Sequence, residues 1–329
     1  MRVGADLPGA AAPASASPAR LVRRLFFRLR PDETSFVRRG FPSVGRPAQA
    51  RLERIASTFV EGYHAAVDAP EPDGFIPRLE QIPGEFRGFA YEGAAMALGL
   101  LDLLTPWNRS RFSRYLERAP HHDYMLHVGL GWAWARLRSN VQKHLDRSHP
   151  DLRWLALDGY GFHDGFFHWE RTLDRREPPR LRGYEARAFD QGLGRSLWFV
   201  EGADVRHVAA RVGTFDPARQ PDLWAGVGLA CAYAGGVDDA GLQAIREAAG
   251  AFRPQLAQGV SFAVVARYKA QNPAEHTTRA AEFLCRRSFE DLGKSSTELF
   301  DRITGGDGAQ PRYELWRQAI QRQFPAEVA

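Results

Sequence analysis

Along most of this chain apolar residues recur at spacings of three and four, the period of a helix with a buried face. Over 47–67 the apolar positions are Leu52, Ile55, Ala56, Phe59, Tyr63 and Val67, which predicts a helix. The same reading predicts helices over 92–104, 109–118, 122–145, 166–173, 203–212, 222–234, 239–249, 259–270, 277–292, 296–303 and 313–324. Thr105-Pro106 and Pro178-Pro179 mark breaks, because proline cannot continue a helix. Between 158 and 161 the run Asp-Gly-Tyr-Gly reads as a glycine-rich corner. No β-branched run alternates for more than a few residues. The expected fold class is all-α.

The chain also repeats itself, and a repeat sets architecture. Arg87-Gly-Phe-Ala-Tyr-Glu-Gly93 leads into one apolar run, and Arg187-Ala-Phe-Asp-Gln-Gly192 leads into another. A Gly-x-Gly follows each, at Gly129/Gly131 and Gly226/Gly228. Asp164-Gly165 and Gln258-Gly259 then occupy matching places. This predicts an internally duplicated helical-repeat architecture with two similar multi-helix halves. The expected organisation is an Ala/Pro-rich disordered tail over 1–19, an Arg-rich helical segment over 20–79, repeat I over 80–173, repeat II over 179–272 and C-terminal helices over 273–329. A site is expected between the halves. An acid or amide precedes glycine five times, at Glu61, Glu92, Asp164, Gln191 and Gln258, and Phe59, Phe89, Phe162 and Phe189 lie three or four residues before four of those glycines. The acids and amides are expected to cap helix starts.

Charge changes this picture little. Residues 1–54 hold eleven Arg against Asp6, Asp32, Glu33 and Glu53, while the rest of the chain is nearly neutral. A nucleic-acid surface concentrates charge on the folded body, so no nucleic-acid partner is expected. The apolar runs fall short of the roughly 20 residues a membrane span needs, so no span is expected. Arg23-Arg24-Leu-Phe-Phe begins like an export signal, but Arg28 and Arg30 interrupt the apolar segment that must follow. With only Cys231 and Cys285, no disulfide framework arises. The expected location is cytoplasmic.

Standard nucleotide, metal and hydrolase motifs are absent, and no cofactor is implied. His122/His127 and His163/His168 are each five apart, about 140° around a helix, which does not aim two imidazoles at one ion. No metal site is expected. The candidate chemistry is polar groups set among aromatic ones, where burial shifts pKa values toward acid–base work. The catalytic candidates are His163, Asp164, Glu92 and Asp158. The ligand-binding candidates are Tyr160, Phe166, Trp169, Arg195, Trp198, Trp224 and His127. Aromatic residues of this kind suit a flat or unsaturated ligand. Arg195 is expected to pair with Asp190 or Asp222, and Cys231 to be a buried small hydrophobe.

Five segments together resemble a known bacterial family. They are Arg87–Leu98, His127–Ala133, Leu152–His163, Arg187–Trp198 and Asp222–Tyr233. The family is one of unknown function whose members are labelled enediyne biosynthesis proteins (UnbL-like), and the likeness spans roughly 20–290. The resemblance implies an accessory protein of enediyne and polyketide biosynthesis that handles or modifies a polyene-derived intermediate, with other enediyne-pathway proteins as partners. It carries no catalytic residues. The alternative is a non-catalytic helical scaffold that docks other biosynthetic proteins. An isoprenoid cyclase is disfavoured, because Asp238-Asp239 lacks the spacing of an aspartate-rich motif. A closed apolar cavity holding His163 and Asp164 would favour the first reading. An open groove with both side chains packed away would favour the scaffold.

Overall fold

The computed structural model describes residues 18–105, 107–306 and 310–325. The expected tail over 1–19 lies outside them except for its last two residues, which begin a helix, α1 (Pro18–Phe27). The chain is all-α, with no strand among the described residues.

Seven long helices form the body: α2 (Gln49–Asp68), α3 (Gly84–Leu104), α4 (Asp123–Arg136), α5 (Arg153–Phe167), α6 (Tyr184–Val200), α7 (Gln220–Ala234) and α8 (Arg253–Lys269). Each packs on the next through glycine. A methyl group at Gly131 would collide with the Ala156 carbonyl, and one at Gly159 with the Val128 carbonyl. The same reciprocal notch joins Gly161 with Gly192, Gly194 with Gly226, and Gly228 with Gly259. Two residues along a helix is about 200° around it. Each Gly-x-Gly therefore presents one notch to the preceding helix and one to the following helix. Glycine costs a helix about 1 kcal/mol relative to alanine. Here backbone-to-backbone approach, which no side chain permits, offsets that cost.

Neighbouring helices run in the same general direction. Gly161 faces Phe189 and Gly165 faces Ser196, so contact climbs along both helices together. Direction nonetheless turns across the stack, since Arg51 at the start of α2 donates Nε to Ala234 O at the end of α7, 2.6 Å away. The helices therefore wind around a shared interior. A C-terminal helix, α9 (Arg312–Gln321), is held to them by a buried charge network. In it Arg317 donates to Asp222 at 2.7 Å and to Gln258 at 3.0 Å, and Arg187 donates to Asp222 at 3.0 Å.

Three local expectations are corrected. Asp158-Gly-Tyr-Gly161 is the middle of α5, not a corner, because both glycines are packing notches. The helix expected over 122–145 stops at Arg136, and a separate short helix follows at Val141–Leu145. Glu92, Gln191 and Gln258 cap nothing, since each lies inside a helix, beside a notch glycine, and is buried. Among the described residues no helix is long and apolar enough to cross a membrane.

Candidate functional site

Winding leaves an apolar cavity inside α2 to α6, roofed by Leu29, Glu33 and Thr34 from the segment after α1. Its walls are aromatic. Trp132 of α4 lies 4.4 Å from Phe59 of α2 and 5.2 Å from Phe162 of α5 between ring centroids, and Phe162 meets Phe199 of α6 edge-on at 5.2 Å. Phe89, Phe166 and Phe167 extend the lining. The cavity measures about 60 Å³, against the roughly 10–15 Å³ one water needs. It has room for a small apolar group rather than a bulky polar molecule.

Two polar groups of α3 and α5 interrupt this wall. Glu92 is 2 % exposed. Burial is the main reason its carboxyl is raised to about 7. Arg195 opposes that rise, Asp158 adds to it, and the Trp132 indole opposes it. A carboxyl that titrates near neutral pH beside an apolar cavity suits proton transfer in either direction. His163 is also buried, and its Nε2 has no hydrogen-bond partner among the described residues. Burial lowers the imidazole pKa despite Asp164 beside Nδ1 at 3.4 Å, so the ring is held neutral.

Arg195 forms the third element, a cation with its guanidinium 5.0 Å from the Phe162 ring centroid. It pairs with Asp158, not with Asp190 or Asp222. Those two acids are taken by Arg219, at 2.6 Å, and by Arg187 and Arg317. The physical reason is the α5–α6 notch, which brings Arg195 against Asp158 from the facing helix. Gln191 completes the pair by donating Nε2 to the second Asp158 oxygen at 2.8 Å. A buried ion pair of this kind survives only when the remaining hydrogen-bonding capacity is met.

The structure brings Glu92, His163, Phe166 and Arg195 to this cavity, with Asp158 one contact behind. It separates the others. Asp164 and Tyr160 line an outer cleft with Arg138, Arg180 and Arg182. There Asp164 accepts from Arg171 at 2.9 Å. Burial alone would raise the Asp164 carboxyl, but His163 and Arg171 outweigh it and hold it low. Trp169 donates Nε1 to Arg39 O at 2.9 Å and so anchors the roofing segment. Trp198 donates to Gly235 O at 2.8 Å inside the core, where Trp224 is also buried. His127 hydrogen-bonds Asp123 O through Nδ1 at 2.7 Å and faces Phe112, away from the cavity. The cavity draws on the N-terminal segment and the first expected half more than on the second.

Phe59, Phe89, Trp132 and Phe199 were not among the sequence candidates. Three wall residues did carry a signal: Phe59, Phe89 and Phe162 are the phenylalanines that precede the acid-glycine pairs or lie beside them. Among the described residues no group of three or more His, Cys, Asp or Glu could hold a metal ion. Cys231 and Cys285 are buried free thiols, each pushed up to about 12 by burial.

No curated protein and no solved structure matches the chain. Residues 19–324 do match the family described as "Protein of unknown function (DUF1702)", and by that near-complete match the chain belongs to it.

Proposed function

We propose that this protein binds a linear, unsaturated, largely apolar ligand in the α2–α6 cavity, and that Glu92 handles a proton at its wall. The observation that carries this reading is one carboxyl, Glu92, 2 % exposed and set in the wall of an aromatic-lined cavity, where burial raises its pKa to about 7. Aromatic faces favour π-rich and cationic guests, and a dry wall strengthens any charge that Glu92 or Arg195 presents. The likeness to enediyne biosynthesis proteins makes a polyene from an iterative polyketide synthase the first ligand to test. His163, neutral and with a free Nε2, is a further proton-accepting group at the cavity, besides the Glu33 carboxylate of its roof. Asp164 acts through His163 and from outside.

We also infer that the two long copies read in the sequence are runs of a shorter unit, one notched helix and its connector. The notch glycines toward the preceding helix, Gly93, Gly129, Gly159, Gly192, Gly226 and Gly259, support this by their near-even spacing. In this register Asp158-Gly159, rather than Asp164-Gly165, corresponds to Gln258-Gly259.

The test is spectroscopic. A conjugated polyene is mixed with the purified protein and followed by ultraviolet–visible absorption and mass spectrometry, alongside Glu92→Gln and Phe162→Ala. A new chromophore or mass that Glu92→Gln abolishes establishes chemistry at this carboxyl. A shifted spectrum without a new mass, weakened by Phe162→Ala, establishes a carrier. A spectrum unaltered by the folded protein refutes the reading and leaves the scaffold alternative.

A further inference from the structure

Helix α1 turns its apolar side outward. Leu21, Val22, Leu25 and Phe26 share one face, at helical spacings, and are 56 %, 55 %, 80 % and 74 % exposed. The opposite face is docked by arginine. Arg23 donates Nε to Val67 O at 2.8 Å and Nη2 to Asp68 O at 3.1 Å, while Arg24 and Arg20 reach the Asp68 carboxylate at 2.6 and 3.1 Å. Those charge-assisted bonds to the end of α2 set the orientation of α1, and they leave its apolar stripe outward.

A second exposed apolar group lies at the same end. Arg114, three residues after Arg111, pairs at 2.9 Å with Glu71, which lies three residues past the α2 end that α1 grips. Arg111 pairs with Asp102 of α3 at 3.1 Å and donates to Thr105 at 2.9 Å, holding the turn that follows α3. That turn displays Trp107, 82 % exposed, near Leu104, 48 % exposed. Nothing among the described residues covers this group.

We propose that α1 and the Trp107 turn dock this protein on the surface of an anionic lipid bilayer, with α1 lying in the headgroup plane. Charge complementarity selects this occupant. Five arginines and no acid lie between Pro18 and Arg30; Arg20, Arg23 and Arg24 are tied to the end of α2 and Arg30 to Asp32 at 3.4 Å, and Arg24, Arg28 and Arg30 stay exposed beside the stripe. Exposed leucine and phenylalanine bordered by arginine, with a tryptophan at the rim, is the composition that partitions into the headgroup and acyl boundary. Anionic lipid adds attraction for each nearby Arg. A protein partner of ordinary interface size needs a broader apolar centre than this narrow stripe. Leu29, Glu33 and Thr34, which roof the aromatic cavity, follow α1 directly. Docking therefore sets the cavity roof beside the bilayer, where an apolar ligand passes between lipid and protein with little exposure to water. That last step rests on the proposed ligand, whereas the docking does not.

Vesicle flotation tests it with the full chain. Vesicles of phosphatidylcholine alone and of phosphatidylcholine with phosphatidylglycerol are compared at low and high salt. The protein is expected to float with the anionic vesicles, about tenfold less with neutral ones, and less as salt rises. Leu25→Glu with Phe26→Glu is expected to lose binding by about tenfold or more, and Trp107→Ala to weaken it. Far-UV circular dichroism and thermal unfolding confirm that each variant is folded. Wild-type protein that stays in solution with anionic vesicles overturns the proposal, as does a folded Leu25→Glu/Phe26→Glu variant that floats like wild type. Self-association abolished by the same substitutions, without flotation, overturns it in favour of a second copy as occupant. Polyene binding measured without vesicles fails or succeeds independently of these results.

Discussion

Glu92 makes stability depend on pH in a direction opposite to that of an ordinary salt-bridged acid. Its carboxyl is shifted from an ordinary 4.5 to about 7, chiefly by burial. The fold therefore favours the protonated form. Its stabilisation is complete below the unfolded value near 4.5 and is lost as pH rises through about 7. Each pKa unit corresponds to about 1.4 kcal/mol, so this residue alone lowers stability by about 3 kcal/mol between roughly pH 4 and pH 8. Glu92→Gln keeps the shape and removes the titration. Urea unfolding of both proteins, followed by far-UV circular dichroism across that range, isolates the effect. Other titrating groups largely cancel in the difference. The variant is expected to gain about 3 kcal/mol on the wild type from the acidic to the basic end, most of it between about pH 4.5 and pH 7. A difference that stays flat with pH would refute a raised Glu92, and with it the proton-handling part of the proposed function.

Two further predictions address what holds the cavity together. Gly192→Ala places a methyl group against the Asp158 carbonyl, and separating α5 from α6 is expected to cost about 1–3 kcal/mol or more. Thermal unfolding reads this, and a loss well under 1 kcal/mol would mean that the notch is not a close-packed contact. Arg195→Met leaves Asp158, 0 % exposed, without its buried cation, an expected loss of about 3–5 kcal/mol. Combining it with Asp158→Asn is expected to restore part of that loss, and a double variant no better than the single one would show that the penalty is not an uncompensated charge.

The periodicity of Leu52, Ile55, Phe59 and Tyr63, the apolar runs after Glu92 and Gln191, and the breaks at Pro106 and Pro178 were enough to read an all-α chain. Local pattern carries that information because each helix buries its own face. Glu92, His163, Phe166 and Arg195 were legible as polar or aromatic groups in unusual company, and the structure gathers them in one cavity. The Gly-x-Gly pairs were also visible, but their effect was not. Asp158-Gly-Tyr-Gly161 has the composition of a turn, and only the backbones of α4 and α6 on either side make it helical.

Partners across helices were beyond local reading. Arg195 had acids near it in sequence at Asp190 and nearby in pattern at Asp222, yet it pairs with Asp158, because helix crossing, not sequence distance, decides which charges meet. Adjacent His163 and Asp164 face different spaces for the same reason: 100° of helical rotation points one inward and the other to the outer cleft. Sequence by itself determined helix content, the recurrence of glycine and the set of polar residues among aromatics, since these follow from composition and period along one dimension. Tertiary structure alone decided which of those residues share a cavity, which pair with each other and which merely fill the core, because the close approach that glycine permits selects neighbours in three dimensions.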